Sequence, residues 1–162
     1  MKLLCITIII AMFFLISIKE MRAQTTQTPL NQVELMKQFI GTWKCELGKN
    51  TIYINENKPF GTGMVCNIQI ISNGDINDSV KQLFGYDNNT DKYIVAELIN
   101  SSSVMEISSA WFTSEHTGKI FNTDPDSDAP KFDFEFKTPN MIKETAILDN
   151  KIVVEMTYNR IK

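Results

Sequence analysis

The residues best suited to chemistry in this chain are a single histidine and a group of acidic side chains. His116 lies in TSEHTGK, a segment typical of a turn, and it is the only histidine among 162 residues. A histidine can ligate haem iron, but a histidine on a loop is more commonly a solvated side chain. The serines have only this imidazole as a base, and no G-x-S-x-G motif is present. The sequence therefore predicts no catalytic residue and no enzyme.

The acidic segment DPDSDAPKFDFE imitates a calcium-binding loop. Asp124, Asp126 and Asp128 alternate along it, and Glu135 occupies the twelfth position, as oxygen ligands do in an EF-hand. The sixth position is Ala129, where the sharp turn requires glycine, and Glu135 belongs to a strand-like run. We therefore predict a solvated acidic loop, no metal site and no cofactor.

Composition limits the partners of the chain. Its 19 aspartates and glutamates outnumber its 16 lysines and arginines, which gives a net charge of -3. The calculated pI is about 5.2. Domains that bind nucleic acid usually carry a basic patch, so we predict no nucleic-acid partner.

The first residues have the pattern of a secretory signal peptide. The uncharged run LLCITIIIAMFFLISI follows one lysine and precedes a polar segment, in which Ala23 is a suitable cleavage site. We predict a signal peptide over residues 1–23, a flexible segment over 24–30 and a secreted or periplasmic domain over 31–162, with no membrane span after cleavage. The run is slightly short for a transmembrane helix. Two basic residues directly after it leave an uncleaved anchor as the alternative.

Two cysteines, Cys45 and Cys66, follow the predicted signal peptide. In an oxidising compartment they can form a disulfide. Two small, buried, apolar side chains would suit a core equally well. Because geometry decides between these interpretations, the sequence leaves both open.

Strand patterns dominate the rest of the chain. NQVELMKQFI has apolar residues at helical spacing and predicts a short helix. Nine later segments alternate apolar and polar residues, and TGKIF adds a short tenth. In the clearest, KFDFEFK, Phe132, Phe134 and Phe136 share one face while Asp133 and Glu135 share the other. Short turns between the segments favour an all-β fold, an antiparallel up-and-down β-barrel of about eight to ten strands with a short N-terminal helix after the signal peptide.

Gly41 and Trp43 at the start of the first strand, with Arg160 on the last, resemble a signature of the calycin superfamily, which includes the lipocalins and the fatty-acid-binding proteins. In that fold the tryptophan lies at the closed end of the barrel and an arginine packs across its ring. The resemblance implies a cation–π pair between Trp43 and Arg160, and a tight turn at Gly41. Fatty-acid-binding proteins hold a carboxylate with an Arg-x-Tyr pair on the last strand, whereas the order here is Tyr158-x-Arg160. LFGYDNNTDKYIVAELI is also similar to a hairpin of small secreted bacterial lipocalin-like proteins of unknown function.

The barrel interior is the remaining candidate site. If Trp43 points inward, the resemblance and strand parity suggest this lining: Met105, Trp111, Phe132, Phe134, Phe136, Met156 and Tyr158. An apolar lining with a few polar atoms is typical of a small-molecule pocket, so we predict a non-enzymatic carrier of a small hydrophobic or amphipathic molecule. The alternatives are a filled barrel, acting as a structural or protein-interaction module of the cell envelope, and a haem-binding, nitrobindin-like barrel. The sequence does not separate a hollow barrel from a filled one, and it does not give the oligomeric state.

Overall fold

A computed structural model describes residues 29–102 and 104–162. The predicted signal peptide, residues 1–23, and most of the predicted flexible segment, residues 24–30, lie outside the described residues. The described chain forms a closed barrel of ten antiparallel strands, which confirms the all-β, up-and-down architecture. The strands are β1 Gly41–Leu47, β2 Thr51–Phe60, β3 Gly63–Ser72, β4 Asp75–Asp87, β5 Lys92–Ile99, β6 Met105–Phe112, β7 Thr117–Asn122, β8 Lys131–Thr138, β9 Met141–Leu148 and β10 Lys151–Arg160.

The first and last strands close the ring. Each strand pairs with its neighbours in sequence, and β1 also pairs with β10. Trp43 lies opposite Arg160 in this pairing, and Cys45 lies opposite Tyr158. Closure gives every strand two partners and leaves no exposed sheet edge. Because every strand has a neighbour on each side, the backbone groups of all ten strands can form hydrogen bonds within the sheet.

A short helix covers the end of the barrel where β1 begins and β10 ends, here called the helix end. It consists of α1, Gln32–Met36, and a 3-10 turn, Lys37–Phe39. The buried Gln32 side chain donates to the carbonyl oxygen of Phe112 at 3.0 Å and accepts from the Phe112 N–H at 2.8 Å. These two bonds fix the helix across the end of β6. Within the described ranges, no helix has the length and apolar character needed to cross a membrane.

Alternation along the strands separates the interior from the outer surface. On β8, Phe134 is 3% exposed and Phe136 is 6% exposed. Asp133 and Glu135 lie on the outside, where they form ion pairs with lysines at 3.1 and 2.6 Å. The two faces predicted for KFDFEFK are thus the faces that the barrel presents.

A bulge interrupts the alternation on β10. Unbroken parity would place Ile152 and Val154 on the same inner face, but the register with β9 shifts between them. Ile152 is consequently 62% exposed, whereas Val154 lines the cavity and Val153, which is 50% exposed, borders its open end. An extra residue in one strand of an antiparallel pair turns the chain in this way.

Candidate ligand-binding cavity

A cavity of about 430 Å³ occupies the barrel interior. It extends from Met36 and Phe39 at the helix end to Leu47, Ile70 and Val153 at the opposite end. Small-molecule sites in proteins commonly enclose about 300–1,000 Å³. The cavity is therefore large enough for a small organic molecule.

The part of the barrel next to the helix is packed with aromatic rings. The Phe39 ring centroid lies 6.0, 5.1 and 4.9 Å from those of Phe112, Phe134 and Phe136, respectively. Trp43 is 1% exposed, and its ring centroid lies 6.2 Å from that of Phe136. Tilted and edge-on contacts of this kind add to the stabilisation from burial. The barrel is thus filled at the helix end and hollow beyond it. The sequence left open whether the barrel is hollow or filled, and each of the two descriptions applies to one part of it.

Arg160 ties the last strand to the first at the helix end. Its Cζ lies 4.1 Å from the centroid of the Trp43 ring, the contact that the resemblance implies. The Nη2 group donates to the carbonyl oxygens of Gln38 at 2.8 Å and Pro139 at 3.1 Å, and Nη1 donates to that of Ile40. With these partners Arg160 does not line the cavity.

Gly41 permits this close arrangement. Its φ is +126°, and a Cβ atom there would lie 2.6 Å from Arg160 Nη1 and 2.6 Å from the carbonyl oxygen of Lys162. A side chain would therefore meet both strain and collision. Glycine is therefore required at position 41, both because the φ angle is positive and because the neighbouring atoms leave no room for a Cβ atom.

A row of four polar side chains and one buried thiol crosses one wall of the cavity. In the pairing of β2 to β6 the neighbours are, in order, Asn57, Cys66, Gln82, Glu97 and Glu106. All of them line the cavity. Gln82 Nε2 donates to Glu97 Oε2. Glu97 and Glu106 lie directly opposite each other, and like charges in this position are unfavourable.

Two amide oxygens beside the cavity have no hydrogen-bond partner in the part of the chain that the structure describes. Asn57 is 6% exposed, and its Nδ2 donates to the carbonyl oxygen of Phe39 at 2.9 Å. Among the described residues, neither Asn57 Oδ1 nor Asn55 Oδ1 has a partner. About nine-tenths of buried polar groups in proteins are paired. These oxygens are therefore open acceptors in the cavity wall.

Glu144 brings a carboxylate into the barrel from β9. It lies between Phe134 of β8 and Met156 of β10, and the surface that it retains faces the cavity. Burial raises the pKa of Glu144 from its ordinary 4.5 to about 7. The pKa of Cys66 is raised to about 12 by burial and, to a lesser degree, by the charges of Glu144 and Glu97. Burial and Glu144 also raise the pKa of Tyr158, so this carboxylate acts on groups around the interior.

The cavity carboxylates have no positive partner among the described residues. No lysine, arginine or histidine belongs to the described lining. Ion pairs in the described ranges, such as Lys143 with Glu155 at 2.6 Å, never include Glu97, Glu106 or Glu144. The interior is therefore apolar in most places and acidic where it is charged.

Most of the residues predicted to contact a ligand reach the cavity. Phe132, Phe134, Met156 and Tyr158 line it. Phe136 lies instead in the packed aromatic part at the helix end. The candidate lining is thus shifted away from the helix relative to the set chosen from sequence.

Met105 of β6 was predicted to point into the barrel, and this prediction is wrong. Its side chain is 60% exposed on the outer surface. Trp111 borders the cavity, but its ring contacts Lys92 Nζ, 4.0 Å from the ring centroid, and the Phe121 ring at 5.3 Å. The inward residues of this strand are Glu106, Ser108, Ala110 and Phe112. MEISSAWF carries apolar residues on both faces, so its apolar pattern does not identify the inner one.

The two cysteines are free, buried thiols. Cys45 on β1 lies opposite Tyr53 of β2, whereas Cys66 on β3 lies opposite Asn57, four positions further along β2. Two strand spacings of about 4.8 Å and four rises of about 3.3 Å separate the Cα atoms by about 16 Å. A disulfide requires less than about 7 Å. Cys45 and Cys66 are therefore two separate buried side chains and do not form a disulfide.

The remaining sequence candidates lie outside the cavity. His116 is exposed in the turn before β7, where its carbonyl oxygen accepts from the Phe136 N–H at 2.7 Å. Asp124 Oδ1 accepts from the Asp126 N–H at 3.0 Å within the loop before β8. Glu135 forms its ion pair with a lysine of the same strand. These positions do not bring a histidine or an acidic cluster to the interior.

Sequence reasoning missed the three cavity carboxylates, Glu97, Glu106 and Glu144. The inward positions of β9 include Ile142, Glu144 and Ala146, so a charge interrupts an otherwise apolar face. Once it is known which residues of β9 point inward, a charged residue among apolar ones indicates a functional position. In NMIKETAIL three consecutive polar residues hide the parity.

No protein-family model and no curated protein matches this sequence. The closed ten-strand barrel and the contact between Trp43 and Arg160 are consistent with a lipocalin-like barrel. Function is therefore inferred from the barrel and its cavity.

Proposed function

We propose that this protein is a secreted or periplasmic carrier of the calycin superfamily, which binds a small hydrophobic or amphipathic molecule in its barrel and catalyses no reaction. The observation that carries the proposal is the cavity of about 430 Å³ beyond the packed helix end. Its lining combines many apolar side chains with a few polar groups, the usual composition of a small-molecule site. Secretion through the predicted signal peptide is part of the same proposal.

Burial of apolar surface would drive the binding. Each Å² of apolar ligand surface removed from water contributes about 25 cal/mol, and the loss of ligand freedom offsets part of this gain. The aromatic cluster around Phe39 and the contact between Trp43 and Arg160 lie beside the cavity. These contacts do not require an occupied cavity, so a ligand can leave without unfolding the barrel.

A pair of neighbouring serines provides the test. Ser108 faces the cavity and Ser109 follows it on β6 with the opposite parity. Ser108→Phe places a ring in the cavity, whereas Ser109→Phe places the same ring on the outer wall. Native mass spectrometry of protein isolated from its own host, followed by denaturing conditions, measures any released molecule.

We expect a discrete mass that the wild type and Ser109→Phe carry and release on denaturation. Ser108→Phe should carry at least tenfold less of it, because its ring occupies the space for the ligand. Circular dichroism checks that both variants fold. A wild-type chain without a bound molecule, or equal occupancy in the two folded variants, would contradict the proposal.

The outer wall favours a second candidate, a protein-interaction module of the cell envelope. Leu83, Leu98 and Met105 are each more than half exposed on the adjacent strands β4, β5 and β6. Leu98 pairs directly with Met105, so their side chains share one apolar outer surface. Leu98→Lys should then remove a protein that crosslinks to the wild type in the host. If the crosslinked species persist in this variant, that outer surface is not the contact.

A further inference from the structure

The charged groups of the cavity indicate the chemical class of its ligand. We propose that the cavity selects an organic cation, an amphipathic molecule whose amine head group lies among Glu97, Glu106 and Glu144 while its apolar body contacts the hydrophobic lining. The inference rests on the proposed carrier function and adds the sign of the ligand charge. Its basis is a described lining with three carboxylates and no lysine, arginine or histidine.

The first observation is the pair of facing carboxylates on adjacent strands. Glu97 and Glu106 are direct neighbours in the pairing of β5 with β6, and both side chains line the cavity. The side-chain bond described for this pair comes from the neutral amide of Gln82, which reaches Glu97. An ammonium group between the two carboxylates would replace their repulsion with charge-assisted hydrogen bonds.

The second observation is a carboxylate on another part of the wall. Glu144 lies on β9, four strands away from Glu97 on β5 in the ring of ten. The pKa of Cys66 responds to both Glu144 and Glu97, so both negative charges act on the same region of the interior. A cation in the cavity would therefore be attracted from two sides.

The third observation is independent of charge. Asn57 is 94% buried and borders the cavity, and its Oδ1 has no partner among the described residues. Asn55 Oδ1, on the same strand, is also open. Open acceptors fit a ligand that donates, and an ammonium group has donors and no acceptor. A carboxylate ligand would leave these oxygens unpaired.

The structure argues against two other ligand classes. Arg160, which could have held a fatty-acid carboxylate, is occupied by Trp43 and by backbone carbonyls at the helix end. In the described residues no group of three or more His, Cys, Asp or Glu side chains is arranged to hold a metal ion. The three carboxylates are thus spread around a cavity of molecular size, which suits an organic cation.

The test uses three probes with the same phenylbutyl body: 4-phenylbutylamine, 4-phenylbutanol and 5-phenylpentanoate. The protein is unfolded and refolded to remove any bound molecule, and binding is measured by isothermal titration calorimetry at about pH 8, where a carboxyl with a pKa near 7 is mostly ionised. We expect one equivalent of the amine to bind at least tenfold more tightly than the alcohol. The carboxylate probe should bind most weakly.

Two variants assign the effect to the cavity. Glu97→Gln and Glu144→Gln should each weaken amine binding about tenfold, the loss expected when a charged hydrogen-bond partner is removed. Both should keep the affinity for phenylbutanol, which also shows that they are folded. Glu155→Gln removes a carboxylate from the outer surface, so it should leave amine binding unchanged.

The outcomes separate this inference from the carrier function. Equal affinity for amine and alcohol, or tighter binding of the carboxylate probe, would overturn the cation preference and leave the carrier function standing. Loss of amine binding in Glu155→Gln to the same degree as in Glu97→Gln would assign the effect to net charge and overturn it too. If none of the probes binds, the cation preference is refuted, and a bare chain from the host would refute the carrier function as well.

Discussion

Replacing Glu144 with glutamine should stabilise the ligand-free protein above neutral pH and change it little in acid. Glutamine keeps the shape of the side chain and stays neutral, as the protonated carboxyl group does. In the native barrel burial raises the pKa of Glu144 from 4.5 to about 7. In the unfolded chain the same group has its ordinary pKa. The native state therefore binds this proton more tightly than the unfolded state.

The sign and size of the effect follow from proton linkage. Between pH 4.5 and about 7 the native state keeps a proton that the unfolded state has lost, so the free energy of unfolding falls as the pH rises through this interval. A pKa difference of one corresponds to about 1.4 kcal/mol, so the rise from 4.5 to about 7 places the full loss at up to about 3.5 kcal/mol above pH 7. The other groups whose pKa values respond to Glu144 are Cys45, Cys66 and Tyr158. Burial raises the pKa of each, so they stay neutral throughout.

Urea unfolding followed by tryptophan fluorescence at about pH 5 and about pH 8 measures this difference. Glu144→Gln should gain about 2–3 kcal/mol over the wild type at the higher pH and less than about 1 kcal/mol at the lower. Glu155→Gln, the same change on the outer face of β10, should show a small effect at both. A difference between Glu144→Gln and the wild type that is independent of pH would refute the raised pKa of Glu144.

Arg160→Lys should lower the free energy of unfolding by about 2–4 kcal/mol in a denaturant titration, because an ammonium group cannot serve three carbonyl groups and an indole face together; an unchanged midpoint would contradict the closing role of this residue. Gly118→Ala should cost about 1–3 kcal/mol, since a Cβ atom there would overlap an aromatic ring and a backbone carbonyl oxygen. Gly85→Ala meets no atom within 4 Å and should change stability by less than about 0.5 kcal/mol; equal thermal midpoints for the two variants would count against the packing at Gly118. The thiols of Cys45 and Cys66 are free and buried, so alkylation mapped by mass spectrometry should modify them only after unfolding, without a reductant. A requirement for reductant would indicate a disulfide.

The architecture was predictable because it depends on a repeated local pattern. KFDFEFK separates its two faces completely, and short turns between such segments leave an antiparallel meander as the economical connection. Even TGKIF forms its own strand, β7. The extent of β4 was not predictable, since SNGDIND has the composition of a turn, whereas Asp75, Ile76 and Asp78 within it pair with β3 through the backbone. Backbone pairing does not require an apolar side chain, so polar strand ends escape a pattern based on hydropathy.

The candidate site was predictable only in its apolar half. Phe132 and Phe134 were identified because alternation reveals an inner face that is apolar. The same criterion failed on β6, where the inner face carries Glu106 and the outer surface carries Met105. A rule that assumes an apolar interior fails where the interior holds polar groups. Local rules are expected to break at functional sites for this reason.

The separation of the barrel into a packed end and a polar cavity bears on the choice between carrier and filled barrel. The aromatic cluster around Phe39 lies at the helix end, while the unfavourable features lie in the cavity. These features are the facing carboxylates of Glu97 and Glu106, the half-buried carboxyl of Glu144 and the oxygen of Asn57, which is unpaired within the described residues. Apolar residues at such positions are often neutral or stabilising, so stability alone does not account for them. A cationic ligand would interact favourably with all of these groups, and that interaction would add to its affinity. In a filled barrel without a ligand, the same groups would lower the stability of the fold and nothing would compensate for it.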